Sequence, residues 1–169
     1  MLTKSVEKAI NEQIAKEFYA SHLYLSMAAY LEAQSLSGFA TWMKLQSAEE
    51  REHAMRLFEF VLDNGGEVKL KGIEEPPAEF GGALACMEQS LAHEEKVTAS
   101  IRTIYELAVK EKDYPAQLEM QWFISEQTEE ERTVGEIIAR LKLAGDSGAA
   151  LLFIDAELGK RGAGAGHSG

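Results

Sequence analysis

Glu49-Glu50-Arg51-Glu52-His53 is the stretch on which the fold turns. Glu50 and His53 stand three residues apart, so on a helix both side chains leave the same face one turn from each other. A carboxylate beside an imidazole is a ready pair of ligands for a transition metal. The same spacing also occurs on solvated helix surfaces, so its meaning depends on what flanks it. On both sides the apolar residues recur at alternating three and four. Phe39, Met43, Gln46, Glu50, His53, Leu57 and Phe60 form one seam of a helix expected over about 38–64. The pair therefore sits in the middle of a stripe that a bundle would bury.

Three more helices carry the same kind of seam. The first, over about 4–34, presents Ile10, Ile14, Glu17, Ser21, Tyr24, Ala28 and Leu31. The third, over about 82–112, presents Leu84, Met87, Leu91, Glu94, Thr98, Ile101 and Tyr105. The fourth, over about 115–143, presents Ala116, Met120, Phe123, Gln127, Glu130, Val134, Ile137 and Leu141. Asp113-Tyr114-Pro115 opens it with proline in the first turn, and Gly145 closes it. Ser35, Ser37 and Gly38 are expected to supply a turn and a cap between the first two helices.

Residues 65–80 contain Gly65, Gly66, Gly72, Pro76 and Pro77 and show no helical period. At roughly 3.4 Å per residue such a segment reaches about 50 Å. The preceding helix is about 40 Å long at its usual rise. The connection can therefore run the length of the bundle and set the third helix parallel to the second. The fold class is all-α, a four-helix bundle with one long crossover. Asp146-Ser147 can cap a short fifth helix over about 147–158, whose Leu151, Leu152, Phe153 and Ile154 are too apolar to face water unaided. An acidic bundle offers it no obvious seat, so it is expected to pack between subunits. One domain spans 1–158, and the glycine-rich stretch 159–169, with His167, is expected to be a mobile tail without a specific role.

The 169 residues are 46% hydrophobic, enough for one compact core. Lys+Arg 17 against Asp+Glu 28 leaves a net charge of -11, which argues against nucleic acid or an anionic membrane surface as partner. No stretch approaches the roughly 18 apolar residues of a membrane span. The single Cys86 excludes an internal disulfide and reads as a small buried side chain. With no apolar leader at the N-terminus, a cytoplasmic protein is expected.

The two halves echo each other at an offset of 77 residues, which carries Glu17 onto Glu94, Glu49 onto Glu126, Glu50 onto Gln127, His53 onto Glu130 and Met43 onto Met120. Two helical hairpins thus share one register about an approximate twofold. Tyr24 falls on Ile101, so the halves are not chemically equal. Helix rise places the polar positions at nearly one depth, near mid-bundle. Burying one unpaired carboxylate costs several kcal/mol, and this seam holds Glu17, Glu50, Glu94 and Glu130 with no lysine or arginine among them. Either the carboxylates keep protons, or cations occupy the layer. Two divalent ions would balance four carboxylates, with His53 as the lone nitrogen ligand. An oxygen-rich set without sulfur suits iron or manganese better than zinc for redox work.

Glu17, Tyr24, Glu49-Glu50-Arg51-Glu52-His53, Glu94 and the run Trp122 to Glu131 resemble the ferritins, the bacterial non-haem ferritins in particular. The likeness covers about residues 1–158. It implies a ferroxidase that stores its product in a hollow shell of twenty-four identical subunits, with Fe(II) and O2 or peroxide as substrates. By that resemblance Glu17, Glu50 and His53 would hold one iron and Glu50, Glu94 and Glu130 the second, with Gln127 hydrogen-bonding nearby. Glu49, Glu126 and Glu129, with Glu130, resemble a third iron site; a solvated acidic face is the alternative. Tyr24 is either a one-electron donor or a core tyrosine bonded to a carboxylate, and Trp122 reads as packing. Relatives that bind haem would be expected to have histidine near Glu130 and methionine near Glu52, so no haem is expected. Another carboxylate-bridged di-iron oxidase or peroxidase is the alternative function. His22 and His93 are rotated off the seam and are expected at the surface or an interface, with His93 in reach of the ligands' surroundings.

Overall fold

A computed structural model describes residues 2–162. Its helices are α1 (Lys4–Ala33), α2 (Ser37–Asp63), α3 (Ala83–Lys110), α4 (Tyr114–Ala144) and α5 (Gly148–Leu158). The all-α bundle read from the seams is the observed architecture. The whole α1 seam and the whole α4 seam are buried, while Phe60, Leu84, Leu91 and Tyr105 lie at half-covered edges. None of the described helices is long and apolar enough to cross a membrane.

α1 packs along α2 and α3 along α4, and the two hairpins meet mainly through α1 and α3. The crossover can be followed along α1 by its hydrogen bonds. Near its start, buried Asn11 donates to the Glu67 carbonyl at 2.9 Å and accepts from the Lys69 amide at 2.6 Å. Farther on, Ser26 donates to the Pro77 carbonyl at 2.5 Å, and Phe80 packs edge-on against Tyr30. From Asn11 to Tyr30 is roughly 28 Å of helix at 1.5 Å per residue. The connection therefore travels most of α1 before α3 begins, which makes α3 parallel to α2.

Of the five helices, α4 and α5 start on a capping side chain from the preceding residue. Asp113 accepts from the Ala116 amide at 3.2 Å, and its other oxygen takes the Thr3 amide at 3.0 Å, tying the start of α4 to that of α1. Ser147 accepts from the Ala150 amide at 3.2 Å. At α2 the expected serine cap is absent. Ser35 takes a left-handed backbone at φ 61, Leu36 occupies the cap position, and Ser37 turns its hydroxyl to Glu32. The acceptor comes instead from α5: the Phe39 amide donates to the Asp155 carboxylate at 2.8 Å. A full negative charge suits a helix N-terminus better than a hydroxyl does.

That contact corrects the expectation that the bundle has no seat for α5. The helix packs on α2 and α4, burying Ile154 and Leu158, while Leu152 and Phe153 stay 59% and 63% exposed. Gly38 makes the seat, because a Cβ there would fall 1.7 Å from the Asp155 carbonyl oxygen. Gly38→Val is expected to displace α5 and to cost about 2 to 3 kcal/mol, counting the overpacking and the lost cap. The urea midpoint measures this; a wild-type midpoint would contradict the close-packing account. Residues 159–162 also depart from expectation, since they turn back so that Arg161 reaches α2. The rest of the expected tail, including His167, lies outside the described residues.

The core is in two parts. One cluster gathers Met27, Leu31, Phe39, Met43, Met87 and Ile138 with Ile154 of α5. The other gathers Ile10, Ile14, Leu57, Ile101, Met120 and Phe123. Between them lies a layer of buried polar side chains.

Candidate metal centre

Each bundle helix contributes to that layer: Glu17 from α1, Glu50 and His53 from α2, Glu94 from α3, Gln127 and Glu130 from α4. Glu17, Glu50 and Glu94 are 0% exposed and Glu130 only 6%, so water does not solvate their charge. Ligand-capable atoms of Glu17, Glu50 and His53 lie within 4.8 Å of one another, as do those of Glu50, Glu94 and Glu130. A third group with the same spacing joins Glu49, His53, Glu126 and Glu130. Glu50, His53 and Glu130 each serve two groups, so the three form one continuous layer.

The hydrogen bonds leave acceptor capacity unspent. Gln13 donates to one Glu17 oxygen at 2.7 Å, and the other Glu17 oxygen is buried with no hydrogen-bond partner. Gln127 donates to Glu94 at 3.0 Å and lies 3.3 Å from the Thr98 hydroxyl. His53 Nδ1 is 3.3 Å from a Glu50 oxygen. Among the described residues no lysine or arginine pairs with Glu17, Glu50, Glu94 or Glu130. Burial, then the Glu50 charge, pushes the Glu17 carboxyl well above its ordinary range. Burial, then Glu94 and Glu130, does the same to Glu50. Glu94 is raised by burial against the bonds from Tyr24 and Gln127. Glu130 is pushed up to about 8 by burial, with Glu94 and Glu49 adding to it. Burial thus favours the protonated form of these carboxyls, and an oxygen-rich set of this kind could hold a hard cation in place of those protons.

Around the carboxylates the aromatic residues have definite partners. Tyr24 is fully buried and donates its hydroxyl to Glu94. His93 leans edge-on against Tyr24 at 6.4 Å and lies tilted against Tyr19 at 5.8 Å. Its imidazole is pushed down to about 4 by burial and by Lys96, so it stands neutral behind Tyr24, half-covered. His22 is exposed. Trp122 lies between the Arg56 guanidinium, 3.8 Å above its ring, and the His53 imidazole, 5.6 Å away and edge-on. It packs the histidine in place.

One sequence candidate falls outside the layer. Glu129 is exposed and pairs with Arg132 at 3.4 Å, whereas Glu126 and Glu130 turn inward together. Two contributors were missed. Gln46 was visible as a polar seam residue; its amide donates to Glu130 at 2.6 Å and to Glu50 at 3.2 Å. Arg161 meets Glu49 at 2.7 Å from the far end of the chain, and no local pattern announces it.

Four bundled helices around a buried layer of glutamates with one histidine define a carboxylate-rich bundle whose core could hold metal ions. Residues 7–144 match the Ferritin-like domain family, and the chain belongs to the ferritin family. It is 40% identical over 161 residues to the bacterial non-heme ferritin of Bacteroides fragilis (strain 638R), across 95% of this chain and 100% of that protein. The bacterial non-heme ferritin of Staphylococcus aureus (strain USA300) is 34% identical across 95% of this chain and 97% of its own. The open pore ferritin of the hyperthermophilic archaeon Archaeoglobus fulgidus superposes with a TM-score of 0.94 at 43% identity, covering 95% of this chain and 98% of that one.

Proposed function

We propose that the chain oxidises Fe(II) at this layer and stores the ferric product inside a shell of identical subunits, twenty-four by family likeness. The observation that carries the reading is four buried glutamates with no lysine or arginine paired to them among the described residues, one of them with a buried oxygen that has no partner there. Iron is the substrate. Glu17, Glu50 and His53 receive one ion and Glu50, Glu94 and Glu130 the other, with Glu50 common to both. Entry of the ions releases the protons that burial keeps on the carboxylates. Two Fe(II) supply two electrons, which with two protons take O2 to hydrogen peroxide or peroxide to water. Hard carboxylates favour the ferric state and so assist the oxidation. Gln127 and Tyr24 both donate to Glu94, holding its orientation, and the Tyr24 hydroxyl stands ready as a one-electron and proton donor. Glu49, His53, Glu126 and Glu130 offer a third stop for an ion leaving the pair.

Leu152 and Phe153 give α5 an uncovered apolar face, which suits a contact between subunits. The free, buried Cys86 suits a reducing compartment, and the cytoplasm is the proposed location. Aerobic addition of Fe(II) to the metal-free protein is expected to give oxidation faster than in buffer and a ferric core that co-elutes with the shell. Buffer-rate oxidation with a ferric precipitate would overturn the proposal.

A further inference from the structure

The strap that follows α5 ends on the third carboxylate group. Arg161 is held from four directions. One guanidinium nitrogen donates to Glu49 at 2.7 Å. The other donates to the Gln46 side-chain oxygen at 3.0 Å and to the Trp42 carbonyl at 3.3 Å. The Arg161 Cζ lies 4.7 Å from the centre of the Trp42 ring. Among the described residues this is the one lysine or arginine paired with a carboxylate of the three groups.

We propose that Arg161 is a cationic clasp that governs entry of a third divalent cation at Glu49, His53, Glu126 and Glu130, acting through Glu49 and Gln46. The proposal rests on the reading that these groups take iron. A guanidinium on Glu49 already supplies positive charge and occupies one of its two oxygens. An incoming dication must share that carboxylate or displace the arginine. The second effect runs through Gln46, which is 1% exposed. Because its oxygen faces Arg161, its amide nitrogen faces Glu50 at 3.2 Å and Glu130 at 2.6 Å. Reversing the amide would break all three bonds and set an oxygen against two carboxylates. Arg161 thus fixes which end of Gln46 meets the glutamates, although it touches neither Glu50 nor Glu130. With the strap docked, Glu130 is held by Gln46 and Glu49 by Arg161, and the third group is closed. With the strap released, both carboxylates are free to turn toward a cation. Arg161 is a positioning residue.

Anaerobic calorimetry with Co(II) on the assembled full-length protein tests this. In Arg161→Ala the weakest class of sites is expected to tighten about fivefold, the scale of a partly exposed charge pair, and to change more than the two tight sites, which lose only the Gln46 orientation. A chain ending at Lys160 should behave like Arg161→Ala, and Arg161→Lys should fall between it and wild type, because an ammonium cannot bond Glu49 and Gln46 in the same fork. The visible Co(II) spectrum at the third equivalent should change with the variant. Unchanged affinity and spectrum at that equivalent, or its loss in Arg161→Ala, would overturn the clasp. Absence of two tight sites in wild type would instead overturn the metal-centre reading.

Discussion

Glu50→Ala is expected to remove the fast phase of Fe(II) oxidation, lowering the initial stopped-flow rate by about 100-fold or more. Glu50 is common to the Glu17–His53 group and the Glu94–Glu130 group, so its loss breaks both at once. It leaves a packed seam position on α2, and the bundle should keep its helical content and its oligomeric state. Removing a buried carboxylate whose charged form burial disfavours should even make the metal-free protein more stable. Glu129→Ala is the matched control, because Glu129 is exposed and meets only Arg132 among the contacts described, at 3.4 Å. Wild-type rates in Glu50→Ala would sink the site assignment, and a large loss in Glu129→Ala would show that the acidic surface matters instead.

The metal-free protein is expected to lose stability as pH rises from about 5 to 8. Glu130 has its folded value pushed up to about 8, against an ordinary 4.5. Between those values the folded state keeps a proton that the unfolded chain has released, so unfolding gains ground with each step in pH. Below that window both states are protonated, and above it both are charged. For Glu130 alone the difference amounts to roughly 5 kcal/mol at one pKa unit per 1.36 kcal/mol, shared with the neighbours to which it is coupled. Glu17, Glu50 and Glu94 are raised in the same direction and add to the slope. Ordinary paired carboxylates, with lowered values, behave oppositely. Urea midpoints at pH 5, 6, 7 and 8 in the presence of chelator measure the effect. Glu130→Gln should flatten the curve, and added divalent cation should raise the pH 8 midpoint most. A midpoint that rises with pH in the metal-free protein would contradict the electrostatic account of the layer.

The bundle was legible because its seams are nearly unbroken. Every residue of the α1 and α4 stripes that periodicity selected is buried. The inner layer was legible for the same reason: glutamates on a buried stripe have few explanations, and the repeat aligned Glu17 with Glu94 and His53 with Glu130. Glu129 misled because charge clustering in sequence ignores rotation. At about 100° per residue, Glu126 and Glu130 share a face, while Glu129 sits about a quarter turn from Glu130 on the far side of Glu126. The seat of α5 was hidden because it needs Gly38 and Asp155 together, and Gly38 reads locally as a turn residue. Arg161 could not be found from its neighbours, since glycine-rich surroundings predict mobility and its partners are more than a hundred positions away. Periodicity reports what one helix buries, and it is silent about which distant segment comes to cover an end.

The division of the core has a further consequence. All four long helices contribute to both apolar clusters, and the glutamate layer lies between the clusters. Apolar cohesion cannot spread through that plane when it is empty, so the molecule holds two cooperative units threaded on the same helices. Ions bound there would weld the units, because each helix would be tied to its neighbours at its own waist. Cargo would then act as a rivet, making the loaded subunit one mechanical body where the empty one is two.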